Sequence, residues 1–374
     1  MPDGVNRSRR RELPMALPAA DDMSRPMSSA PPSPAAQPLA PIAEWHKVDL
    51  LTFRNEIVPR HEPAVMRGLV GGWPAVSACA SGEGARDYAR RFDRGLPITA
   101  FVAPPEIGGR FFYGSEPNGF NFRTAETRLS TLLTELAEAE EQERPLSLYM
   151  GSTSVPKLLP GFERENRMPL LRGRGVEPRI WIGSRTRIAA HYDESENIAC
   201  VVRGRRRFTV FPTDQVANLY VGPIDHTPAG QPISMVDFSA PDFERHPRFR
   251  QALAHARVAD LEPGDAIYIP TLWWHHVEAL DAFNILVNYW WTEAQMDGGS
   301  PLHALGHGLL TISHLPEEQR EAWRALFDHF VFRRNGDPAA HIPPARRGIL
   351  GASTPQLRRT IRQFLAAMLG REGP

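Results

Sequence analysis

The chain has 374 residues, of which 42% are hydrophobic, so it can bury a sizeable core as one large or two small domains. Its 43 Lys and Arg balance 43 Asp and Glu, which leaves no global charge to attract nucleic acid or an anionic membrane. The two cysteines exclude a disulfide framework and suit the cytoplasm, where we expect the protein. No apolar run approaches the roughly 18 residues of a transmembrane helix, so we expect no membrane partner.

The amino-acid composition of the chain changes at residue 42. Residues 1–41 are rich in Pro, Ala and Ser, and we expect a disordered tail because such a segment buries little apolar surface. Residues 42–298 are expected to form the main domain. Its first elements are predicted as a short helix opening at Asp49, a strand at Pro63–Gly68, a helix through Asp87–Arg91 and an amphipathic helix at Ser130–Glu141.

Between residues 145 and 291 the pattern is one of short strands broken by Gly, Pro and Asp turns. The predicted strands are Leu146–Met150, Arg179–Gly183, Asn197–Val202, Arg205–Phe211, Asp265–Pro270 and Asn284–Trp291. Because no long helices alternate with them, a doubly wound sheet is disfavoured and a mainly β sandwich or jelly-roll barrel is favoured. The aromatic segment Gly108–Phe122 ahead of them fits core strands, our preferred interpretation, or a lid over a site.

Residues 299–374 are predicted to be helical. One helix follows Pro316, which suits a first helical position, and its apolar residues include Trp323 and Phe330 at helical spacing. Another begins at Thr354-Pro355, an N-cap followed by Pro in the first turn. Each helix carries a wide apolar stripe that must be covered, either by the barrel or by a second subunit.

The segment Ala190-His191-Tyr192-Asp193-Glu194 carries the first sign of chemistry. Residues two apart on a strand point to the same face, so His191 and Asp193 can bind one metal ion. A His from another strand would complete the 2-His-1-carboxylate set that is typical of non-haem Fe(II) oxygenases. The spacing alone is weak evidence, because a nearby His and Asp are often only a hydrogen-bonded pair.

The segment Trp273-Trp274-His275-His276 supplies the candidate third ligand. It follows a turn at Pro263–Asp265 and a strand through Pro270. Apolar walls beside a ligand control solvent access and the dielectric around a metal. Either Trp alone would indicate a core position, but the whole block favours a metal site.

With these segments in place, residues 145–291 resemble the cupin-like JmjC oxygenases, especially the asparaginyl hydroxylase group called factor inhibiting hypoxia-inducible factor. The matching stretches keep the same order and spacing, and they are His191–Glu194 with Asn197, Val210–Pro212, Val236–Phe238, Pro241–Arg245, Pro263–Asp265, Trp273–His276 and Val287–Trp290.

The resemblance implies a double-stranded β-helix with flanking helices that uses Fe(II), with 2-oxoglutarate and O₂ as co-substrates. It implies metal binding by His191, Asp193 and His275. The positions that it implies around the co-substrate are Arg206, Tyr149, Asn197, Asn288 and Trp290. It also implies a hydroxylase that acts on a protein or peptide side chain and forms a homodimer through its C-terminal helices.

Strand periodicity independently supports an inward position for Arg206. We interpret the turn at Gly204 as a hairpin, after which Arg206 shares a face with Phe208. The flanking arginines are expected in solvent, and they are Arg203, Arg205 and Arg207. A buried Arg requires an anionic partner, which the distal carboxylate of 2-oxoglutarate would provide. On the incoming strand, His191, Asp193 and Asn197 are expected to share the inward face.

Two positions depart from the family pattern. Ile188 stands where a Thr or Ser usually binds 2-oxoglutarate, and Arg206 stands where the resembled asparaginyl hydroxylase group has Lys. Arg and Lys are not interchangeable, so the pocket is altered. The alternatives are a non-catalytic or altered cupin-type binding protein and, on the same barrel, a zinc hydrolase or isomerase.

Overall fold

The computed structural model describes residues 38–116, 119–292 and 299–369. The chain divides into two units, Met1–Trp291 and Thr292–Pro374. The first unit is built around two β-sheets and the second is helical. Every helix in the described ranges is too short or too polar to cross a membrane.

The first unit contains a larger and a smaller mixed sheet, whose strands are numbered along the chain. Within the described residues the larger sheet consists of β2 (Ala43–His46), β3 (Ala64–Arg67), β4 (Pro97–Ala103), β5 (Arg123–Arg128), β6 (Ser147–Ser154), β7 (Pro178–Gly183), β9 (Glu196–Arg203), β12 (Ala266–Ile269) and β14 (Asn284–Trp291). The smaller sheet consists of β1 (Ala40–Pro41), β8 (Arg187–His191), β10 (Arg206–Phe211), β11 (Arg257–Leu261) and β13 (Trp274–Ala279).

The two sheets form the predicted double-stranded β-helix. Their spatial orders are β2-β3-β12-β9-β14-β7-β6-β4-β5 and β1-β11-β10-β13-β8. From β7 to β14 the chain crosses between the sheets after almost every strand, and only β10 and β11 follow each other within one sheet. This winding places the inner faces of both sheets around a common interior, which confirms the mainly β jelly-roll prediction.

Apolar side chains fill the interior and cover both outer faces. Val201 and Ile267 from the larger sheet meet Phe208 and Val277 from the smaller sheet in the central core. Cys200, the next residue on β9, points to the outer face of the larger sheet and is fully buried there. Because strands of this kind are buried on both faces, they are nearly continuous apolar runs in the sequence.

Short helices cover the outer face of each sheet. Within the described residues the α-helices of this unit are, in chain order, α1 (Leu50–Thr52), α2 (Pro74–Ala78), α3 (Gly82–Arg90), α4 (Leu129–Ala139), α5 (Val155–Leu158), α6 (Phe162–Glu165) and α7 (Phe249–His255). In α4, Leu132, Leu133 and Leu136 are buried against the larger sheet, which confirms the predicted amphipathic helix. Phe249 of α7 covers the smaller sheet beside Trp274.

Residues 38–41, which the sequence assigns to a disordered tail, belong to the folded first unit. Ala40-Pro41 pair in parallel with Arg257-Val258, and Leu39 packs against the apolar cluster outside the smaller sheet. The prediction of disorder is therefore wrong for residues 38–41. The Pro-rich composition suggested little burial, but Leu39 packs against an apolar cluster. Residues 1–37 lie outside the described residues.

The predicted hairpin at Gly204 is instead a corner between the sheets. Strand β9 pairs with β12 and β14, whereas β10 pairs with β11 and β13. Gly204 has a φ of +71°, and positive φ suits a hairpin turn and a corner equally, so the sequence cannot separate them. The solvated position predicted for Arg203 is also wrong, because its guanidinium lies over the Phe283 ring and donates to Glu140.

The second unit contains α8 (Pro301–Thr311), α9 (Glu317–Phe330) and α10 (Pro355–Leu369) within the described residues. Thr354 caps α10 as predicted, since its Oγ1 accepts a hydrogen bond of 3.1 Å from the Leu357 amide. Pro316 is the N-cap of α9 rather than its first helical residue. Both helices expose apolar side chains, among them Trp323 at 45% and Phe364 at 56%.

Candidate metal and co-substrate site

Three ligand-type side chains converge at the inner face of the smaller sheet. His191 ends β8 and pairs directly with His275 on β13, so that their ring centroids are 4.3 Å apart. Asp193 follows β8 in a turn, and its Oδ2 is 3.5 Å from Nε2 of His275. One ligand atom from each of the three residues lies within 4.8 Å of the others. This separation suits three ligands of one metal ion.

The strands that bring these residues together differ from the single strand that was predicted. His191 and Asn197 were expected on one face of a single strand, but β8 belongs to the smaller sheet and β9 to the larger. The turn after His191 carries Asp193 and moves the chain between sheets. Because the inner faces of both sheets surround one interior, the three side chains still converge, although the reason given by strand periodicity is wrong.

The imidazoles are oriented for metal binding by their own backbone. Nδ1 of His191 donates to the Ala189 carbonyl at 2.9 Å, and Nδ1 of His275 donates to the Trp273 carbonyl at 3.0 Å. A carbonyl oxygen only accepts, so each Nδ1 carries the proton and each Nε2 keeps its lone pair. Burial and the nearby His191 lower the pKa of His275 to about 4, which keeps it neutral. These donors fit a divalent metal such as Fe(II).

Arg206 lies in the same interior and has the inward position that periodicity predicts. Only 3% of its surface is exposed, whereas Arg205 and Arg207 on either side form surface ion pairs with Asp281 and Asp260. Its Nε makes no hydrogen bond, and burial lowers the pKa of its guanidinium to about 10. A buried cation without an acidic partner fits an anionic ligand.

The metal-ligand candidates and Arg206 line one cavity of about 360 Å³. Tyr149 on β6 faces it, and burial raises the pKa of that phenol to about 12, so the hydroxyl is a hydrogen-bond donor. Ile188 also lines the cavity and presents an alkyl group where the family pattern has a hydroxyl. The cavity thus combines a candidate metal-ligand set, a cation with no acidic partner among the described residues, and a phenol.

Three further predicted residues lie around Asp193. Asn197 Nδ2 and Trp290 Nε1 each donate to Asp193 Oδ2, both at 3.1 Å. Asn288 Nδ2 donates to Asn197 Oδ1 at 3.0 Å. All three residues line the cavity, and these side-chain hydrogen bonds link them to the metal-ligand candidate and, for Asn197 and Asn288, to each other.

His276, which the sequence places beside the third ligand, faces the other way. Its ring packs on Phe238 with centroids 4.5 Å apart, and it is buried on the outer side of β13. Burial lowers its pKa to about 3. Its position agrees with the prediction that it is packed and not a ligand.

Several cavity walls were not predicted from the sequence. Trp181 on β7 and the loop residues Pro228, Gln231 and Ile233 come from parts of the chain with no recognisable motif. The aromatic segment supplies one wall, since Phe111 is buried and lines the cavity. The predicted core position is therefore confirmed for Phe111, but the described residues of the segment do not form the predicted strands. Tyr113 and Phe120 form an isolated β-bridge around its turn.

A jelly-roll barrel that brings two His and one Asp together at one cavity has the arrangement of a candidate cupin-type metal site. The comparison with known families agrees: residues 50–297 match the cupin-like domain, and the chain belongs to that family.

Similar proteins carry different names. The chain is 23% identical to tRNA wybutosine-synthesizing protein 5 of Gallus gallus over 321 residues, which cover 76% of this chain and 92% of that protein. It is 24% identical to lysine-specific demethylase 8 of Xenopus tropicalis over 258 residues, 67% of this chain and 53% of that protein. It is 34% identical to human HSPB1-associated protein 1 over 118 residues, 31% of this chain. That match spans only 24% of the human protein.

Proposed function

We propose that the protein is an Fe(II)- and 2-oxoglutarate-dependent oxygenase that hydroxylates a C–H bond. The observation that carries the proposal is the buried Arg206, which has no acidic partner among the described residues and lies in the same cavity as His191, Asp193 and His275. A zinc hydrolase or isomerase on this barrel would not require a buried cation, whereas an anionic co-substrate does. When bound, Fe(II) with 2-oxoglutarate and O₂ supplies the oxidising chemistry, with succinate and CO₂ as the other products.

The protein's own residues would bind and orient the reactants. His191, Asp193 and His275 bind the metal through one face and leave the remaining positions open. The Arg206 guanidinium binds the distal carboxylate of 2-oxoglutarate by charge-assisted hydrogen bonds, and the Tyr149 hydroxyl donates to the same carboxylate. The apolar cavity walls exclude water, which strengthens these electrostatic contacts.

A non-catalytic or altered cupin-type binding protein is the second candidate. Ile188 favours it, because this side chain cannot donate a hydrogen bond inside the cavity. The complete ligand set favours the oxygenase. The specific likeness to the asparaginyl hydroxylase group is also part of the proposal, and the sequence motifs shared with that group support it.

The proposed substrate is a protein or peptide side chain. A relative named as a lysine-specific demethylase supports a protein substrate. The relative named as a tRNA-modifying protein is covered over 92% of its length, which makes an RNA nucleoside the competing substrate class. Peptide and tRNA pools incubated with the active protein, then analysed for a gain of one oxygen by mass spectrometry, separate the two.

We further propose that the protein is a homodimer. The exposed apolar side chains of α9 and α10 support this, since such faces usually bind a partner.

The activity is tested by anaerobic reconstitution with Fe(II), followed by 2-oxoglutarate and then O₂. The expected results are a visible charge-transfer absorbance before O₂ and succinate after it. His275→Ala should abolish both, whereas His276→Gln should keep the absorbance, because His276 faces the other side of β13. Failure of the wild-type protein to give either signal, or full turnover by Asp193→Ala, would refute the proposal.

A further inference from the structure

The Asp193 carboxylate is held by side chains from the opposite sheet. Asp193 lies outside any regular strand, and the residue is 7% exposed. In the ranges that the structure describes, no Lys or Arg pairs with its carboxylate, and the neighbouring His275 ring, 3.5 Å away at Nε2, is neutral. Its orientation therefore depends on the two N–H groups that donate to Oδ2, from Asn197 on β9 and Trp290 on β14.

The direction of these hydrogen bonds is determined by chemistry. An ionised carboxylate only accepts and an indole only donates, so Trp290 has one possible role at Asp193. Asn197 must present its NH₂ group to the carboxylate, which leaves its Oδ1 to accept from Asn288. The amide of Asn197 is therefore held at both ends, and the chain of bonds holds the Asp193 carboxylate in one orientation.

The Trp290 indole is itself held in place. The Trp181 ring meets it edge to face, with centroids 5.1 Å apart and planes at 89°. The two rings come from neighbouring strands, β7 and β14, and both line the cavity. A donor held in this way loses little conformational freedom when it forms its hydrogen bond, so it can orient a carboxylate effectively.

We propose that Trp290 and Asn197 are positioning residues, whose N–H groups hold the Asp193 carboxylate in the orientation that binds the metal. This inference rests on the metal-binding part of the proposed function, not on turnover. It assigns Asn197 and Trp290 to the metal ligand, whereas the sequence resemblance places them beside the co-substrate. Loss of a partner that orients a metal ligand typically weakens metal binding by about 10–100-fold.

The test is a pair of Trp→Phe substitutions at adjacent positions. Trp290→Phe keeps an aromatic ring in the cavity wall but removes the N–H donor. Trp291→Phe is the matched control, because Trp291 faces away from the site and packs against Phe53 and Tyr268. Co(II) affinity is measured by calorimetry and by the visible absorbance of the bound ion, without 2-oxoglutarate or O₂. Melting temperatures in EDTA report any loss of fold.

We expect Co(II) binding about 10–100-fold weaker for Trp290→Phe, with a changed absorbance, and wild-type affinity for Trp291→Phe. Asn197→Ser, which shortens the second donor, should also weaken binding. Wild-type affinity in both Trp290→Phe and Asn197→Ser would overturn the inference, as would absence of Co(II) binding by the wild-type protein. A wild-type protein that binds Co(II) but produces no succinate would refute the proposed oxygenase activity. The Co(II) affinities of the variants would still decide the role of Trp290.

Discussion

Replacing Arg206 with Met should stabilise the metal-free protein and abolish co-substrate binding. Burial without an acidic partner lowers the pKa of Arg206 to about 10, which corresponds to about 3 kcal/mol against the charged form. Below that pH the guanidinium is protonated in both the folded and the unfolded chain, so the full cost applies at neutral pH. A side chain of similar length without charge removes this cost. We therefore expect the free energy of unfolding to rise by about 1–3 kcal/mol.

The same substitution should remove the response to 2-oxoglutarate. At about 100 times its dissociation constant, a ligand that binds only the folded state adds about 2.7 kcal/mol. Thermal unfolding of protein loaded with Co(II), with and without 2-oxoglutarate, measures this difference. Arg207→Met is the control, because Arg207 is exposed and paired with Asp260, so both its stability and its response should stay near wild type. A destabilised Arg206→Met variant, or one that keeps the full response, would contradict the assigned role of Arg206.

Three further outcomes are expected. Ile188→Thr should place a hydroxyl in the cavity and tighten 2-oxoglutarate binding by about tenfold, as measured by calorimetry. The reason is that a hydrogen bond to a charged group contributes about 1.5–3 kcal/mol. Unchanged or weaker binding would show that this wall does not face the co-substrate. The molar mass measured by light scattering at micromolar concentration should be that of a dimer for the wild-type chain of 41.8 kDa and that of a monomer for Trp323→Glu. A monomeric wild-type protein would refute the proposed dimer. Iodoacetamide should alkylate Cys79 and Cys200 only after unfolding, because burial raises the pKa of both thiols; labelling of the native protein would contradict their burial.

Strand periodicity predicted the orientation of a site residue only where a regular strand has both buried and exposed positions. Arg206 was placed correctly because exposed Arg207 separates two buried residues at the start of β10, whereas the rest of the strand, including Thr209, is buried on both faces. Strand β13 was not predicted, since Trp274 to Val277 are buried on both faces and show no alternation. The hairpin and corner interpretations of Gly204 were equivalent in sequence, because both require the same backbone conformation.

Contacts between distant residues could not be predicted from local patterns. Trp290 and Asp193 are 97 residues apart in the chain, and nothing in either segment indicates their hydrogen bond. The walls at Pro228 and Ile233 come from an irregular loop with no motif. Such residues are brought together by the order of the strands, which local sequence does not specify.

The residues that would hold the metal and those that shape the cavity lie partly on different strands, and this division bears on how the protein could be redesigned. Among the cavity-lining residues on strands, the metal-ligand candidates His191 and His275 and the cation Arg206 belong to the smaller sheet. Thr99 and Phe101 line the cavity from β4 of the larger sheet, a different strand from those of Asn197 and Trp290, which hold Asp193. Libraries directed at Thr99 and Phe101 would reshape what enters the cavity without replacing any residue that holds the metal-ligand candidates. A barrel of this kind can acquire new substrates by changing one strand at a time.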